Sequence, residues 1–448
     1  MNSALRFYMS PGRIIVLSIL VAIGIGTLLL SLPQARTIPI SLIDLFFTAT
    51  SATCVAGLFT IPLEHFTHFG QSVILALIQI GGIGLITITL IFVYLFVNVS
   101  LAANVMAGEL LEVESWKKVR QTLLFIVLIT LVCESLGCLF IFNIIKEHVP
   151  ASKAFFFACF HSISSFCNAG IIINQCIVEH YGSNIAFLFI TIILMFCGGF
   201  GFITWYELAK LTAARIAQKR YRFSLHSTII IQTTFFLIAF TTLLYLVLEH
   251  THSLNGIPLP FASLVAVFHA ISFKGSGFML TKVTALQPAT LFFLMIIAFI
   301  GSSPGSTGSG IKLTTLIVFI AAIKATIAGR TSIQLHNRTI ACDQVYRAIA
   351  IISLSVLWII VSTFLLLITE PDLAFADIFF ETVSAFSTLG IELEPNVTSS
   401  LSSIGKIIII TSMIVGRIGS LTLLLSLKFR KPTEQVEFSY PEERVMLG

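Results

Sequence analysis

Eight apolar runs long enough to cross a bilayer recur along this chain, at approximately 13–31, 69–97, 121–144, 184–209, 227–249, 288–325, 346–369 and 404–427. A transmembrane helix needs about 20 apolar residues. A bilayer admits only helices or closed barrels, because no backbone group there can turn to water. The pattern therefore restricts the chain to an all-α integral membrane fold. Between the members of each successive pair lies a shorter apolar stretch, at 41–53, 154–166, 261–273 and 374–386. Each is about 13 residues, too short to cross and suited to a re-entrant helix. The order span, half-helix, loop, span occurs four times.

Composition excludes a soluble reading. Hydrophobic residues make up 56% and charged residues 10%, against about 25% charged in soluble domains. The first run, Ile14–Leu32, follows Arg6 and Arg13 as a signal peptide would, but Pro33-Gln34-Ala35-Arg36 makes a poor cleavage site. A retained span is expected. The eight cysteines fall singly, with no C-x-x-C pair, which speaks against a zinc or redox centre. His65 and His68 beside Glu64 read as a wet polar loop, so no protein-bound metal is expected.

Charge orients the spans. With both termini cytoplasmic, 18 of the 26 Lys and Arg residues fall on inner segments and six on outer ones, with Lys312 and Arg417 inside spans. The positive-inside rule selects that orientation. Eleven of the 21 acidic residues fall outside. That leaves the outer face negative and raises the local concentration of cations. Glu134 lies within a span, a candidate counter-charge to Arg417 or Lys312.

The loops after the four half-helices resemble one another. They read Thr53-Cys54-Val55-Ala56-Gly57, Phe166-Cys167-Asn168-Ala169-Gly170, Phe273-Lys274-Gly275-Ser276-Gly277 and Phe386-Ser387-Thr388-Leu389-Gly390, each followed by an apolar residue. The glycines are spaced by 113, 107 and 113 residues, a fixed period that marks an internal repeat. Rings of backbone carbonyls can replace the water shell of K⁺, and glycine permits the conformations that aim several carbonyls at one axis. Helix C-termini carry about half a negative charge. Four of them facing one interior would favour a cation.

The sixth span is interrupted by Gly301-Ser302-Ser303-Pro304-Gly305-Ser306-Thr307-Gly308-Ser309-Gly310, every residue of which is Gly, Ser, Thr or Pro. A helix does not pass smoothly through four glycines and a proline. The freed backbone must line protein or water, and a segment of weak helical preference is a natural moving part. The sequence places such a break in no other span. Arg417, in Gly416-Arg417-Ile418-Gly419, sits at membrane depth. It should face an interior or a partner, since insertion costs ~2.5–3.5 kcal/mol, or else snorkel to the inner interface.

These features resemble the Trk/Ktr/HKT superfamily of K⁺ transporters over nearly the whole chain, and are most similar to KtrB-type membrane subunits of bacterial Ktr systems. The resemblance implies four M1–P-loop–M2 repeats, that is eight spans plus four re-entrant pore helices, around one central pore. Residues 1–100, 101–215, 216–330 (with a gate loop at 301–310) and 331–430 would form the repeats, and 431–448 a cytoplasmic tail. The filter would comprise Cys54, Val55, Ala56 and Gly57; Cys167, Asn168, Ala169 and Gly170; Lys274, Gly275, Ser276 and Gly277; and Ser387, Thr388, Leu389 and Gly390. Gly301 to Gly310 and Arg417 would form the gate.

The implied activity is K⁺ uptake across a bacterial-type plasma membrane, without enzymatic chemistry or an organic cofactor. Na⁺ is the alternative or coupled ion in a symport. The tail Tyr440-Pro-Glu-Glu-Arg-Val-Met-Leu-Gly448 resembles the C-terminal end of the membrane component of Ktr systems. That implies a homodimer and a cytosolic ring of nucleotide-binding RCK proteins, with no nucleic-acid partner. Two loops depart from the family: Val55-Ala56-Gly57 replaces Val-Thr-Gly, and Lys274-Gly275-Ser276-Gly277 replaces Arg-Thr-Ala-Gly. Selectivity for K⁺ over Na⁺ is left open there. Lys274 either tunes ion occupancy or pairs with an outer carboxylate.

Two rival readings explain less. Thr307-Gly308-Ser309-Gly310 resembles the G-x-S-G of rhomboid-type intramembrane serine proteases, but the four repeats then have no purpose. An organic-substrate carrier has broken helices too, but typically repeats twice with inverted topology.

Overall fold

In the computed structural model the described residues are 11–84, 116–173, 180–330 and 332–427. Residues 85–97 of the second expected span, most of the loop 98–120 and the tail 431–448 lie outside them.

Among the described residues the regular structure is helical apart from one small hairpin. The helices are α1 (Pro11–Ser31), α2 (Leu42–Cys54), α3 (His68–Ile83), α4 (Trp116–Ile145), α5 (Ala151–Phe166), α6 (Ile185–Gly199), α7 (Phe202–Ile216), α8 (Leu225–Glu249), α9 (Leu259–Ser272), α10 (Pro288–Ile300) and α11 (Leu313–Ile327). After β1 (Gln334–Leu335) and β2 (Arg338–Thr339) come α12 (Cys342–Thr369), α13 (Phe375–Ser387), α14 (Val397–Ser400), α15 (Ser403–Ile418) and α16 (Ser420–Leu427). The four short apolar stretches therefore form α2, α5, α9 and α13, within three residues of the expected bounds. Several starts are fixed by side-chain caps, which satisfy free N–H groups of the first turn. Ser41 accepts from Asp44, Thr67 from Gly70, Asn184 from Ala186 and Phe187, and Ser402 from Gly405.

Among the described residues three helices are long and apolar enough to cross a membrane alone: Gln121–Ile145, Leu225–Glu249 and Cys342–Thr369. The pairs α6–α7 and α15–α16 are bent by 99° and 95°, and counting each as one span gives five. The other expected spans correspond to α1, to α3 as far as Ile83, and to α10 with α11 on either side of 301–312.

Here the structure corrects the sequence reading, which placed a break in the sixth span only. Two more spans turn sharply, at Gly201 (φ 97°) and Gly419 (φ 90°). Gly84 (φ 91°) ends α3 in the same manner, and Gly301 (φ 54°) ends α10 in a different positive-φ conformation. A single glycine suffices, because without a Cβ the backbone enters the positive-φ region cheaply. Hydropathy averaged over a span does not register it.

Packing follows a cyclic order. Three of the short helices sit against both spans that flank them in sequence, α2 against α1 and α3, α5 against α4 and α6, α13 against α12 and α15, whereas α9 packs on α8. The helix after one glycine loop also packs on the next short helix, α3 on α5, α6 on α9, α10 on α13, and α15 back on α2. The last contact joins the end of the chain to its beginning.

The interior is unusually polar. In α2 the buried Thr48, Thr50 and Thr53 donate to the carbonyls four residues back at 2.7–2.8 Å, which satisfies their hydroxyls inside the helix. Large apolar side chains instead point outward, as with Leu124, Leu128, Leu131 and Leu139 on α4, each more than half exposed. Such an extended apolar surface marks a face meant for contact with another apolar phase. Lipid is that phase here.

Candidate functional site

The four short helices share one terminal bond, and three of them share a second. The N–H groups of Val55, Asn168, Gly275 and Thr388 reach the carbonyls of Ala52, Ser165, Ser272 and Ala385 at 3.1–3.2 Å. The following N–H, of Ala56, Ala169 or Leu389, bonds the carbonyl of Ser51, Ser164 or Ser384 at 2.8 Å in each case. This is a left-handed C-cap that spends the helix's last free carbonyls on the loop. The third loop differs. Ser276 bonds Ser272 at 2.7 Å, so its cap is one residue tighter.

Positive φ recurs at alternate positions. Val55, Asn168 and Thr388 stand at 58°, 57° and 52°, and Gly57, Gly170, Gly277 and Gly390 at 65–79°. A left-handed non-glycine costs about 1–2 kcal/mol. For β-branched Val55 and Thr388 the conformation is a genuine outlier, of the kind that concentrates at functional sites. The third loop carries Gly275 at this position, at φ 152°. Its departure from the family pattern thus coincides with the tighter cap.

The four glycines meet in a closed cycle. A Cβ on Gly57 would lie 2.7 Å from the Ala169 carbonyl oxygen, and one on Gly390 would lie 2.6 Å from that of Ala56. A Cβ on Gly170 would strike the carbonyl of Ser276, and one on Gly277 that of Leu389. Each glycine therefore faces the carbonyl preceding the next glycine around the ring, and no larger residue fits without displacing backbone. An open cavity of about 680 Å³ reaches Gly170, Gly277 and Gly390, with Glu392 and Lys282 also on its wall. Burial raises the Glu392 carboxyl above the usual range.

The interrupted segment lies against this ring. Residues 301–312 form no helix, and Gly301, Gly305 and Gly310 adopt positive φ. Their backbone groups bond to other parts of the chain. Thr307 N–H donates to Gly198 at 3.1 Å, and Phe202 N–H donates to Gly305 at 2.8 Å. Asn168 of the second loop donates to Thr307 Oγ1 at 2.7 Å, and that hydroxyl donates to the Phe166 carbonyl at 3.1 Å. Ser302 donates to the Lys274 carbonyl at 3.3 Å, and Lys312 Nζ to the Gly308 carbonyl at 2.6 Å.

Arg417 does not snorkel. Its Nη1 donates to the Thr307 carbonyl at 2.5 Å and to Ser309 Oγ at 3.0 Å, and its Nη2 donates to the Gly81 carbonyl. One guanidinium thereby joins the interrupted segment to the ends of α3 and α15.

Two expectations about charge are corrected. Glu134 is not the counter-charge of Arg417 or Lys312. It accepts from Gln79 Nε2 at 2.9 Å, and the Cys167 thiol lies 3.9 Å away. Lys274 pairs with no carboxylate among the described residues. Its Nζ donates to Thr234 Oγ1 on α8 at 3.3 Å.

Sequence reasoning passed over Gly81, Gly198 and Gly416. A Cβ on each would collide with the carbonyl of Thr53, Phe166 or Phe386, the residue that opens each loop motif. The signal was present as Gly81…Gly84, Gly198…Gly201 and Gly416…Gly419, with Ala298…Gly301 in the third copy.

The fold and this inward-facing polar ring define a multi-pass, all-α membrane transporter. The sequence matches the family described as "TrkH: Cation transport protein" over residues 7–438. It is 32% identical to the "Ktr system potassium uptake protein B" of Bacillus subtilis over 98% of this chain and 97% of that one. It is 30% identical to the "Potassium/sodium uptake protein NtpJ" of Enterococcus hirae over 100% and 99% of the two chains. The crystal structure of the potassium transporter TrkH from Vibrio parahaemolyticus shares the fold, with a TM-score of 0.73 at 19% identity over 95% of this chain and 87% of that one. The chain belongs to the TrkH family of cation transporters, within the Trk/Ktr superfamily and most like its KtrB-type members. The family is one of transporters rather than enzymes.

Proposed function

We propose that this chain takes up K⁺ through a single pore formed by four repeats, at residues 1–100, 101–215, 216–330 and 331–430, with residues 431–448 as a cytoplasmic tail. In this reading α2, α5, α9 and α13 are pore helices, and the filter comprises residues 54–57, 167–170, 274–277 and 387–390. One observation carries the proposal: the closed cycle in which each loop glycine faces the carbonyl before the next. Backbone oxygens in a ring are what a dehydrated K⁺ requires. The names of the full-length relatives support potassium as cargo.

The segment Gly301–Gly310 is the gate, and Arg417 is its latch and a fixed positive charge on the path. Regulation comes from a partner, because relatives are named as parts of a Ktr system. A homodimer with a cytosolic nucleotide-binding RCK ring is the assembly proposed, with both termini cytoplasmic in a bacterial-type plasma membrane. Na⁺ transport is the second reading. It rests on Ala56 and Gly275 in the loops and on a relative named for potassium and sodium.

Flux into proteoliposomes tests both. Rb⁺ uptake that K⁺ competes and Na⁺ does not is the expected result. Equal competition by Na⁺ selects the second reading, and no Rb⁺ uptake overturns both.

A further inference from the structure

Glu134 is an acid in the middle of α4, 7% exposed, with no cationic partner among the described residues. An ionisable residue at membrane depth is costly and marks function by default. The proposed filter gives it no role.

Its contacts converge on one loop. The main-chain carbonyl of Glu134 accepts from Ser162 Oγ on α5 at 2.8 Å. Its carboxylate accepts from Gln79 Nε2 on α3 at 2.9 Å. The thiol of Cys167, in the second loop, lies 3.9 Å from Glu134 Oε1 and 3.8 Å from Gln79 Oε1. Cys167 is fully buried, and a Cβ at Gly82 would collide with its sulfur. The thiol is therefore enclosed by the end of α3 and the middle of α4. Residue 134 holds both the helix and the loop of the second unit, by main chain and side chain respectively. No other acid lies in the middle of a span.

We propose that Glu134, with Gln79, is a positioning residue for the second loop, fixing through Cys167 the backbone that leads to Gly170 and so the cation discrimination of that corner. The inference rests on the filter reading. Glutamine at 134 preserves length and can still accept from Gln79 while turning its amide toward the thiol. Alanine leaves Gln79 and Cys167 without support. Position is the relevant property, so the charge should be dispensable.

The test measures inhibition of Rb⁺ uptake by K⁺ and by Na⁺ for Glu134→Gln, Glu134→Ala, Gln79→Leu and Gly170→Ser, each purified and shown to be monodisperse. Glu134→Ala and Gln79→Leu should lower K⁺ over Na⁺ discrimination about tenfold, equivalent to ~1.4 kcal/mol, and Glu134→Gln should restore it. Discrimination that is normal in Glu134→Ala but lost in Gly170→Ser overturns the positioning role alone. Glutamine as damaging as alanine overturns it too, because charge rather than position would then matter. Normal discrimination in Gly170→Ser overturns the filter reading beneath it.

Discussion

Arg417 Nη1 and the carbonyl of Thr307, 110 residues apart in sequence, lie 2.5 Å from each other. The bond ties the end of α15 to a segment with no helical bonds of its own. A half-buried guanidinium with three carbonyl or hydroxyl acceptors holds its geometry firmly, since charge-assisted bonds are the strong ones. Arg417→Ala should release Thr307 and Ser309 and raise Rb⁺ uptake about tenfold, the effect of ~1.4 kcal/mol on a barrier. Arg417→Lys, which cannot span all three acceptors, should fall between. An unchanged or slower rate in Arg417→Ala would count against the gate.

Deleting Ser302–Ser309 should raise basal uptake in the same direction, because Asn168 and Gly198 lose the segment they hold. Uptake that falls on deletion, with the protein still monodisperse, would mean that the segment supports the path instead of closing it.

Gly390→Ser should weaken discrimination more than it weakens stability. Its Cβ would press on Ala56 and Gly57 of the first loop, so the damage reaches two corners at once. The measurement is the ratio of K⁺ to Na⁺ inhibition constants, expected to fall about tenfold. An unchanged ratio there or in Gly170→Ser would sink the filter assignment.

Gly416→Ala separates packing from conduction. The added methyl meets the Phe386 carbonyl at the base of the fourth loop. Overpacking of this kind costs about 1–3 kcal/mol. A lowered unfolding temperature in detergent is expected, and a variant as stable as the parent would show that α15 can shift freely.

Acidity should act through Glu392. Burial holds its carboxyl above the ordinary glutamate value of about 4.3. As pH falls it takes up a proton sooner than an ordinary glutamate, and the cavity wall loses a negative charge, so apparent cation affinity should drop in that window. Stability moves the other way. A carboxyl raised in the folded state stabilises most at low pH, and that contribution fades as pH rises through the raised value. Glu392→Gln should remove the affinity trend, and persistence of the affinity change in that variant would assign it elsewhere.

Much of this architecture was legible in the sequence, and for definite reasons. Apolar runs of about 13 residues are too short to cross a bilayer and suit short re-entrant helices when longer runs flank them. A glycine after each, at near-equal spacing, marked the four loops. The bends at Gly201 and Gly419 escaped notice because a helix break at one glycine leaves mean hydropathy unchanged. The partners of Glu134 and Lys274 also escaped. Gln79 and Thr234 lie 55 and 40 residues from them, and only the packing of α3 on α4 and of α8 on the third loop brings them close. Charge alone suggested ion pairs that the fold does not make.

The third cap, one residue tighter than its three counterparts, has a consequence for heredity as well as for shape. Four identical chains around an axis would have to share every substitution, so a change at one corner would be a change at all. Here each corner is written separately in the gene. A single codon can stiffen, widen or recharge one quarter of the ring while the rest stays constant, and the Lys274–Gly275 loop reads as one such independent edit.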